Sequence, residues 1–189
     1  MSHTPFATPD ASLCARCHQA GGGCCRADSE GVEYMFGLTR GEIEIMAQAS
    51  GLDPSQFVVA DQASPRFLAF LESLHPLFLQ TMPRGRRLRL RLSRGDCCFL
   101  GEQGCRLPVE ARPLYCRMYP LFVNPHGRLM VLVSQACLAQ QGARSWREVM
   151  RGLGQDEATL RGLFGRLQEL AARHEVAPAL KLALRPPEG

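Results

Sequence analysis

The chain has 189 residues, of which 46% are hydrophobic and 7% aromatic, and its formal net charge is +4. This length suits one domain with its own core, and the composition is typical of a helix-rich soluble protein. Residues 1–13 contain neither a basic start nor an apolar run, and no stretch reaches the roughly 18 apolar residues of a membrane helix. We therefore expect a cytoplasmic protein with no secretory signal and no membrane partner.

The first predicted feature is a cysteine cluster near the N-terminus. Cys14 and Cys17 form a C-x-x-C pair, in which two sulfurs on one turn can coordinate one metal ion. Three glycines precede the vicinal pair Cys24-Cys25 and allow the chain to fold back and add further thiols. His18 could complete a zinc site, although such a histidine is more often a solvated loop residue.

Helices are predicted next. A capping box at Thr39 and Glu42 opens a helix that a glycine closes after Ser50. A second helix start lies at Asp53, which a proline follows. Residues 65–81 indicate an apolar helix that breaks near its internal proline. These helices are expected to support the cysteine sites from behind.

Two strands are predicted from alternation and from turn residues. Residues 86–92 alternate arginine and leucine, which indicates a half-buried strand with leucines inward and arginines outward. A turn at 124–127 precedes a second strand at 129–133. We expect both strands to form one small antiparallel sheet that holds the Cys98 loop close to Cys137. The row of arginines could bind an anionic partner, but such a row is more often simply the solvent-exposed, charged face of a strand.

Residues 97–120 carry the densest set of thiols. Gly104 before Cys105 permits a tight turn in which backbone N–H groups point at a thiolate. Pro113 suits the first turn of a short helix that carries Cys116 inward, and the proline at the end of the stretch stops that helix. Thiols from a turn and from a helix therefore point at one volume, as in a metal site.

The C-terminal part predicts two helices. Ser145 caps the first, and the second runs from about Asp156 to Glu175. Apolar residues recur at helical spacing in the second helix, at Leu160, Leu163, Phe164, Leu167, Leu170 and Ala171. This stripe is expected to pack on the domain, whereas an exposed stripe would dimerise, so the oligomeric state stays open.

The cysteine pattern resembles that of the YkgJ-like cysteine-cluster family of zinc- or iron-chelating domains. The family pattern is C-x-x-C, C-C, a helix, C-x-F-L with G-C, R-P-x-x-C-R-x-[FY]-P and a last cysteine, and it matches residues 14–140 here. The spacer after Cys17 is longer than usual, and Cys97 is an extra that we expect to be dispensable, because the motif aligns on Cys98. The resemblance implies that eight cysteines face metal, namely Cys14, Cys17, Cys24, Cys25, Cys98, Cys105, Cys116 and Cys137.

Eight thiolates suffice for two four-thiolate sites, or for one site and a redox-active pair. A reducing cytoplasm and the odd number of nine cysteines argue against a disulfide framework, and the clustering of the cysteines argues against simple packing. Four thiolates suit Zn²⁺ as well as an iron–sulfur cluster. The vicinal Cys24-Cys25 pair and the arginines near Cys116 favour iron–sulfur slightly. Arg112 is expected one helical turn from Cys116, reaching towards the sulfurs or the loop carbonyls around Cys105, while Arg117 anchors the helix to neighbouring backbone.

These observations predict a cytoplasmic metal-binding protein with a redox or protein-modification role. Some larger proteins that share the cysteine module methylate protein lysines, so the resemblance leaves an enzyme conceivable. The alternative is a structural-zinc interaction module whose arginine strand meets an acidic protein or, less in keeping with the charge pattern, a nucleic acid. No phosphate-binding loop, dinucleotide fingerprint or H-E-x-x-H motif is present, so the sequence assigns no reaction.

The expected fold class is α+β and mostly helical. We predict a flexible leader at 1–13, a cysteine-cluster metal-binding domain at 14–140 and a helical extension at 141–189 that packs on the same domain. Together they are expected to form a single compact, metal-stabilised domain with a small antiparallel sheet and a C-terminal amphipathic helix.

Overall fold

The fold is described here from a computed structural model of the chain. It describes residues 13–19, 23–27, 34–134 and 137–173, with side chains from residue 16 onward. The predicted leader, apart from the backbone of its last residue, and the end of the C-terminal extension lie outside these described residues.

Helices and short strands alternate along the described chain. The α-helices are α1 Leu13–Gln19, α2 Arg40–Ser50, α3 Pro54–Phe57, α4 Pro65–Leu74, α5 Leu77–Gln80, α6 Leu114–Met118, α7 Trp146–Gly152 and α8 Glu157–Ala172. The strands are β1 Val58–Gln62, β2 Arg86–Leu90, β3 Leu92–Ser93, β4 Asp96–Cys97, β5 Leu100–Gly101, β6 Gly104–Cys105, β7 Leu121–Val123 and β8 Leu129–Val131. The predicted α+β class is thereby confirmed. None of the described helices combines the length and apolar composition needed to cross a lipid bilayer.

The predicted helix starts are confirmed by their capping contacts. Thr39 and Glu42 form the expected capping box at the start of α2, and Gly51 ends that helix in the left-handed region with φ 69°. Asp53 caps α3 with a second capping box. The apolar segment divides into α4 and α5 on either side of Pro76, because proline cannot donate the next helical hydrogen bond.

The strands form separate two-stranded antiparallel sheets, in which β1 pairs with β2, β3 with β4, β5 with β6 and β7 with β8. The prediction that strands 86–92 and 129–133 share one sheet is therefore wrong. β8 pairs instead with β7 across the predicted turn, where the Asn124 side chain accepts hydrogen bonds from the N–H groups of His126 and Arg128. A short local loop costs less entropy to close than a long one, which favours this pairing.

Two apolar clusters form the core. The large core brings together α4, α5, α6, β7 and α8, and it includes Phe67, Leu71, Leu121, Leu160 and Phe164. The small core includes Ile43, Met46, Phe57, Leu88 and Phe99. Helix α6 lies between the two, because its Leu114 and Met118 belong to the large core while Cys116 packs against the small one.

Helix α8 buries the predicted apolar stripe. Five of the six residues are buried in the large core, and the sixth, Leu170, is half-buried and packs against it. The α8 prediction is confirmed, and the stripe is covered within the chain.

The arginine-rich strand departs from the prediction that its arginines point outward. Leu88 and Leu90 are buried as expected, but Arg87 is also only 3% exposed. Its Nε donates to Asp61 Oδ1 over 2.6 Å, and its guanidinium lies 5.2 Å from the centre of the Phe67 ring. Strand β1, which sequence reasoning did not find, places Asp61 opposite Arg87. The strand therefore exposes less positive charge than its composition indicates.

A buried carboxylate links α2 to α6. Glu42 is 5% exposed, and its Oε2 accepts hydrogen bonds of 2.8 Å from both the N–H and the hydroxyl of Thr39. Its Oε1 accepts one of 2.8 Å from the N–H of Leu114, the first residue of α6. Glu42 thus satisfies donors at the starts of two helices that are far apart in the sequence.

We expect Glu42→Ala to lower the free energy of unfolding by about 2–4 kcal/mol, because each buried donor left without an acceptor costs about 1–3 kcal/mol. Urea denaturation followed by circular dichroism measures this loss. Glu44→Ala is the matched control, because Glu44 lies in the same helix and forms only an exposed pair with Arg40. Similar unfolding midpoints for both variants would show that the Glu42 contacts contribute little.

Asp61 should make stability depend on pH. Burial alone would raise the pKa of Asp61, but the hydrogen bonds and charges of Arg87 and Arg89 outweigh it and hold that pKa below its ordinary value. A carboxyl with a lowered folded-state pKa stabilises the fold above its unfolded value of about 4 and loses this contribution as the pH falls through the folded value.

Asp61→Asn is therefore expected to be less stable than wild type by about 1–3 kcal/mol at pH 7, less than for a fully buried pair because the carboxyl is 26% exposed. The difference should shrink as the pH falls from about 4, the unfolded-state value, through the lower folded-state pKa at which the wild-type carboxyl protonates. Denaturation midpoints at pH 7 and at pH 3 provide the measurement. Glu157→Gln, at an exposed pair with Arg161, is the control. A deficit in Asp61→Asn that is equal at both pH values would contradict the expectation.

Candidate metal centre

One cavity gathers most of the cysteines of the chain. Its volume is about 260 Å³, and its walls come from α1, the segment after Gly23, β4, the β5–β6 hairpin, α6 and the chain around residue 137. We call it the thiol cavity, because its lining includes Cys17, Cys24, Cys25, Cys97, Cys105, Cys116 and Cys137. Six of the eight predicted ligands therefore lie around one space.

Helix α1 forms the first wall with Cys17 and His18. It packs against β6 and against the 3-10 turn Leu138–Gln140, and Cys17 is 7% exposed. His18 Nδ1 is buried and has no hydrogen-bond partner among the described residues. Cys14 lies in the same helix, but its side chain is not among those that the structure describes.

The vicinal cysteines are held against β4. An isolated β-bridge joins Arg26 to Asp96, and Arg26 Nε donates to Asp96 Oδ1 over 3.0 Å. The N–H of Cys97 donates to the carbonyl of Cys25 over 2.8 Å. Backbone hydrogen bonds therefore bring Cys25 next to Cys97, although 71 residues lie between them in the sequence. Cys24 is exposed, at the rim of the cavity.

The β5–β6 hairpin presents Cys105. Cys105 pairs with Leu100, and Gly101 pairs with Gly104. Gly104 has φ 97°, a value that side-chain-bearing residues rarely adopt, which confirms the tight turn predicted before Cys105.

Helix α6 carries Cys116 to the cavity. It begins at Leu114 after Pro113 and ends at Met118, and Pro120 lies just beyond it, as predicted. Tyr119, at the end of the helix, also lines the cavity. Sequence reasoning did not single out this tyrosine as a site residue.

Arg112 lines the thiol cavity, but it does so from an extended segment rather than from the helix. Its φ and ψ are −66° and 145°, because a residue that precedes proline disfavours the helical region. The expected placement one helical turn from Cys116 is therefore wrong. The expected reach towards a loop carbonyl near Cys105 is observed, since the Arg112 Nε donates over 3.1 Å to the carbonyl of Leu107, two residues beyond Cys105.

Arg117 is half-buried in α6 and is not part of the cavity lining. Its described contact is through the backbone, since its carbonyl accepts a hydrogen bond from Gln155 Nε2. Anchoring of α6 by the Arg117 side chain stays a prediction.

The thiols of the cavity differ in acidity. The hydrogen bond with Cys24 lowers the pKa of Cys25 to about 7 despite burial, and the nearby Arg112 charge lowers it further. Burial raises the pKa of Cys116 well above its ordinary value, and the neighbouring Cys25 and Cys105 add to this effect. The site therefore combines one readily ionised thiol with one that favours its neutral form.

Cys98 is placed differently from the other predicted ligands whose side chains are described. It is not part of the cavity lining, and its Sγ donates to the carbonyl of Phe57 over 3.8 Å. Cys97, which was expected to be dispensable, lines the cavity. A hydrogen bond between the two raises the pKa of Cys97 and lowers the pKa of Cys98. Because Cys97 and Cys98 are adjacent, sequence spacing alone does not show which of the two lines the cavity.

The described side chains surround the cavity without converging on one point. Among them, no group of three or more His, Cys, Asp and Glu could hold a single metal ion as placed. The donor set itself fits a thiophilic metal, because thiolates and imidazole are the ligands of zinc, and thiolates are those of iron–sulfur clusters. Binding would require thiol side chains to turn inward.

Comparison with known proteins gave no relative: no family model, no curated protein and no solved structure matches this chain.

Proposed function

We propose that this protein binds a metal ion or an iron–sulfur cluster through cysteine thiolates of the thiol cavity. The observation that carries the proposal is the cavity lining, in which seven cysteines from separate parts of the chain surround about 260 Å³. The resemblance to YkgJ-like proteins supports the same chemistry. We place the protein in the reducing cytoplasm, where thiols stay reduced, and assign it a redox or protein-modification role.

Polar groups around the thiols favour ligation over simple packing. Cysteines that only fill space behave as small hydrophobic residues and do not require charged neighbours. Here Arg112 lines the same cavity and lowers the pKa of Cys25, so it favours the thiolate form that binds metal. The buried Nδ1 of His18 adds a nitrogen that could coordinate metal, and it has no hydrogen-bond partner among the described residues.

The proposed ligands are one thiol from the Cys97-Cys98 pair, Cys14, which shares α1 with Cys17, and the other lining cysteines, namely Cys17, Cys24, Cys25, Cys105, Cys116 and Cys137. A bound cluster would supply one-electron transfer, whereas zinc would supply a structural cross-link. Cys25, whose pKa is lowered, would provide a readily formed thiolate, and Arg112 would offset its negative charge.

The experiment that tests this function is anaerobic purification followed by metal and acid-labile sulfide analysis and a visible spectrum. Iron with sulfide and a broad brown absorption supports a cluster, and colourless protein with zinc supports a structural site. Cys14, Cys17 and His18 also have the C-x-x-C-H spacing of covalent haem attachment, which a sharp Soret band would reveal. Protein that holds no metal as purified, and takes up none on reconstitution, would contradict the proposal.

Arg112→Leu is expected to make metal loss begin at a higher pH during acid titration. A guanidinium near a thiolate favours its charged form, so its removal raises the thiol pKa and lets protons displace the metal sooner. Metal release is followed with a chromophoric chelator. Arg117→Leu is the matched control, because Arg117 lies outside the cavity lining and its loss should reduce stability without moving the release pH. Equal shifts in both variants would contradict the assigned role of Arg112.

A further inference from the structure

We infer that Cys97, and not its neighbour Cys98, joins Cys25, Cys105 and Cys116 as one four-thiol group of the thiol cavity. The inference rests on the proposed function and specifies which thiols act together. It also reverses the expectation from the sequence motif, which aligns on Cys98.

Backbone pairing places Cys97 beside Cys25. The Cys97 N–H donates to the Cys25 carbonyl over 2.8 Å, next to the β-bridge between Arg26 and Asp96. The Arg26–Asp96 ion pair supports the same contact from the side chains. Neighbouring strands lie about 4.8 Å apart, so this pairing keeps two cysteines from distant parts of the chain close together.

The other two members share a wall with Cys97. Cys97, Cys105 and Cys116 are all partly buried and pack against the small core, and all three also line the cavity. Each therefore has the small core behind it and the cavity in front of it. Backing of this kind holds the backbone of each cysteine, so that only the thiol side chains have to turn inward to bind metal.

Cys98 shares the small-core contact but differs in direction. It packs against the same cluster as Cys97, yet it is not part of the cavity lining. Its Sγ lies 3.8 Å from the Phe57 carbonyl, to which it donates. The Cys98 thiol also hydrogen-bonds to the Cys97 side chain, so both of its described partners lie within the fold, and the Phe57 carbonyl is not part of the cavity lining.

The four side chains lie near one another. Cys116 is close enough to Cys25 and Cys105, and Cys97 to Cys116, for their charges to interact. Four thiolates per site is the number that both zinc and iron–sulfur clusters take.

Two neighbouring cysteines provide a matched pair for the test. Cys97→Ser, Cys98→Ser and Cys116→Ser are purified anaerobically beside wild type, and zinc, iron and sulfide are measured per chain. We expect Cys97→Ser to lose bound metal to the same extent as Cys116→Ser, and Cys98→Ser to retain the wild-type content. Because Cys97 packs against the small core, Cys97→Ala is measured as well, and each variant must keep the wild-type circular dichroism spectrum.

Alkylation of the unmutated protein tests the same point where a variant does not fold. Metal-loaded protein is treated with iodoacetamide before and after metal removal by a chelator, and labelling is located by mass spectrometry. We expect metal removal to increase labelling of Cys97 and to leave that of Cys98 unchanged.

Three results would overturn the inference while leaving the proposed function in place. These are metal loss in Cys98→Ser with retention in Cys97→Ser, equal metal content in the two variants, and metal protection of Cys98 instead of Cys97. Wild-type protein that binds neither zinc nor iron with sulfide on reconstitution would overturn the proposed function, and the four-thiol group with it.

Discussion

The carboxylate of Glu42 connects the two parts of the core on which the cavity depends. It belongs to α2, whose Ile43 and Met46 pack in the small core, and it binds the N–H of Leu114, which belongs to the large core. Helix α6 has five residues and is too short to be stable alone, so contacts of this kind hold it in place. The position of Cys116 in the cavity wall therefore depends on a hydrogen bond made two residues before it.

Burying this carboxylate carries a cost. Burial raises the pKa of Glu42, and its hydrogen bonds with Thr39 and Leu114 oppose that shift by stabilising the charged form. The Glu42 contact therefore stabilises the fold only when all of its hydrogen-bond donors are in place. It connects the start of α2 to the start of α6.

Local features of this fold could be predicted from sequence because local hydrogen bonds determine them. The capping boxes at Thr39 and Asp53, the end of α2 at Gly51 and the turn at Gly104 each depend on a few neighbouring residues. The stripe in α8 follows from helical periodicity over four turns. The gathering of cysteines around one space was expected from their spacing and from the family resemblance.

Long-range pairing could not be predicted in the same way. Strand β1 follows α3 without an intervening turn, so no local signal marks it, and without it the partner of Arg87 stays hidden. The placements of Cys97 and Cys98 are likewise decided by tertiary contacts, one with Cys25 and one with Phe57. Adjacent identical residues offer no difference in composition or periodicity from which to predict such a choice.

The separation of the cavity walls along the chain has a consequence for biosynthesis. The lining cysteines extend from Cys17 to Cys137, so the ribosome must complete most of the polypeptide before the last wall exists. Until then the N-terminal thiols lack the backing of β4 and α6. The thiol cavity is therefore completed late in translation, after both of these elements have been made.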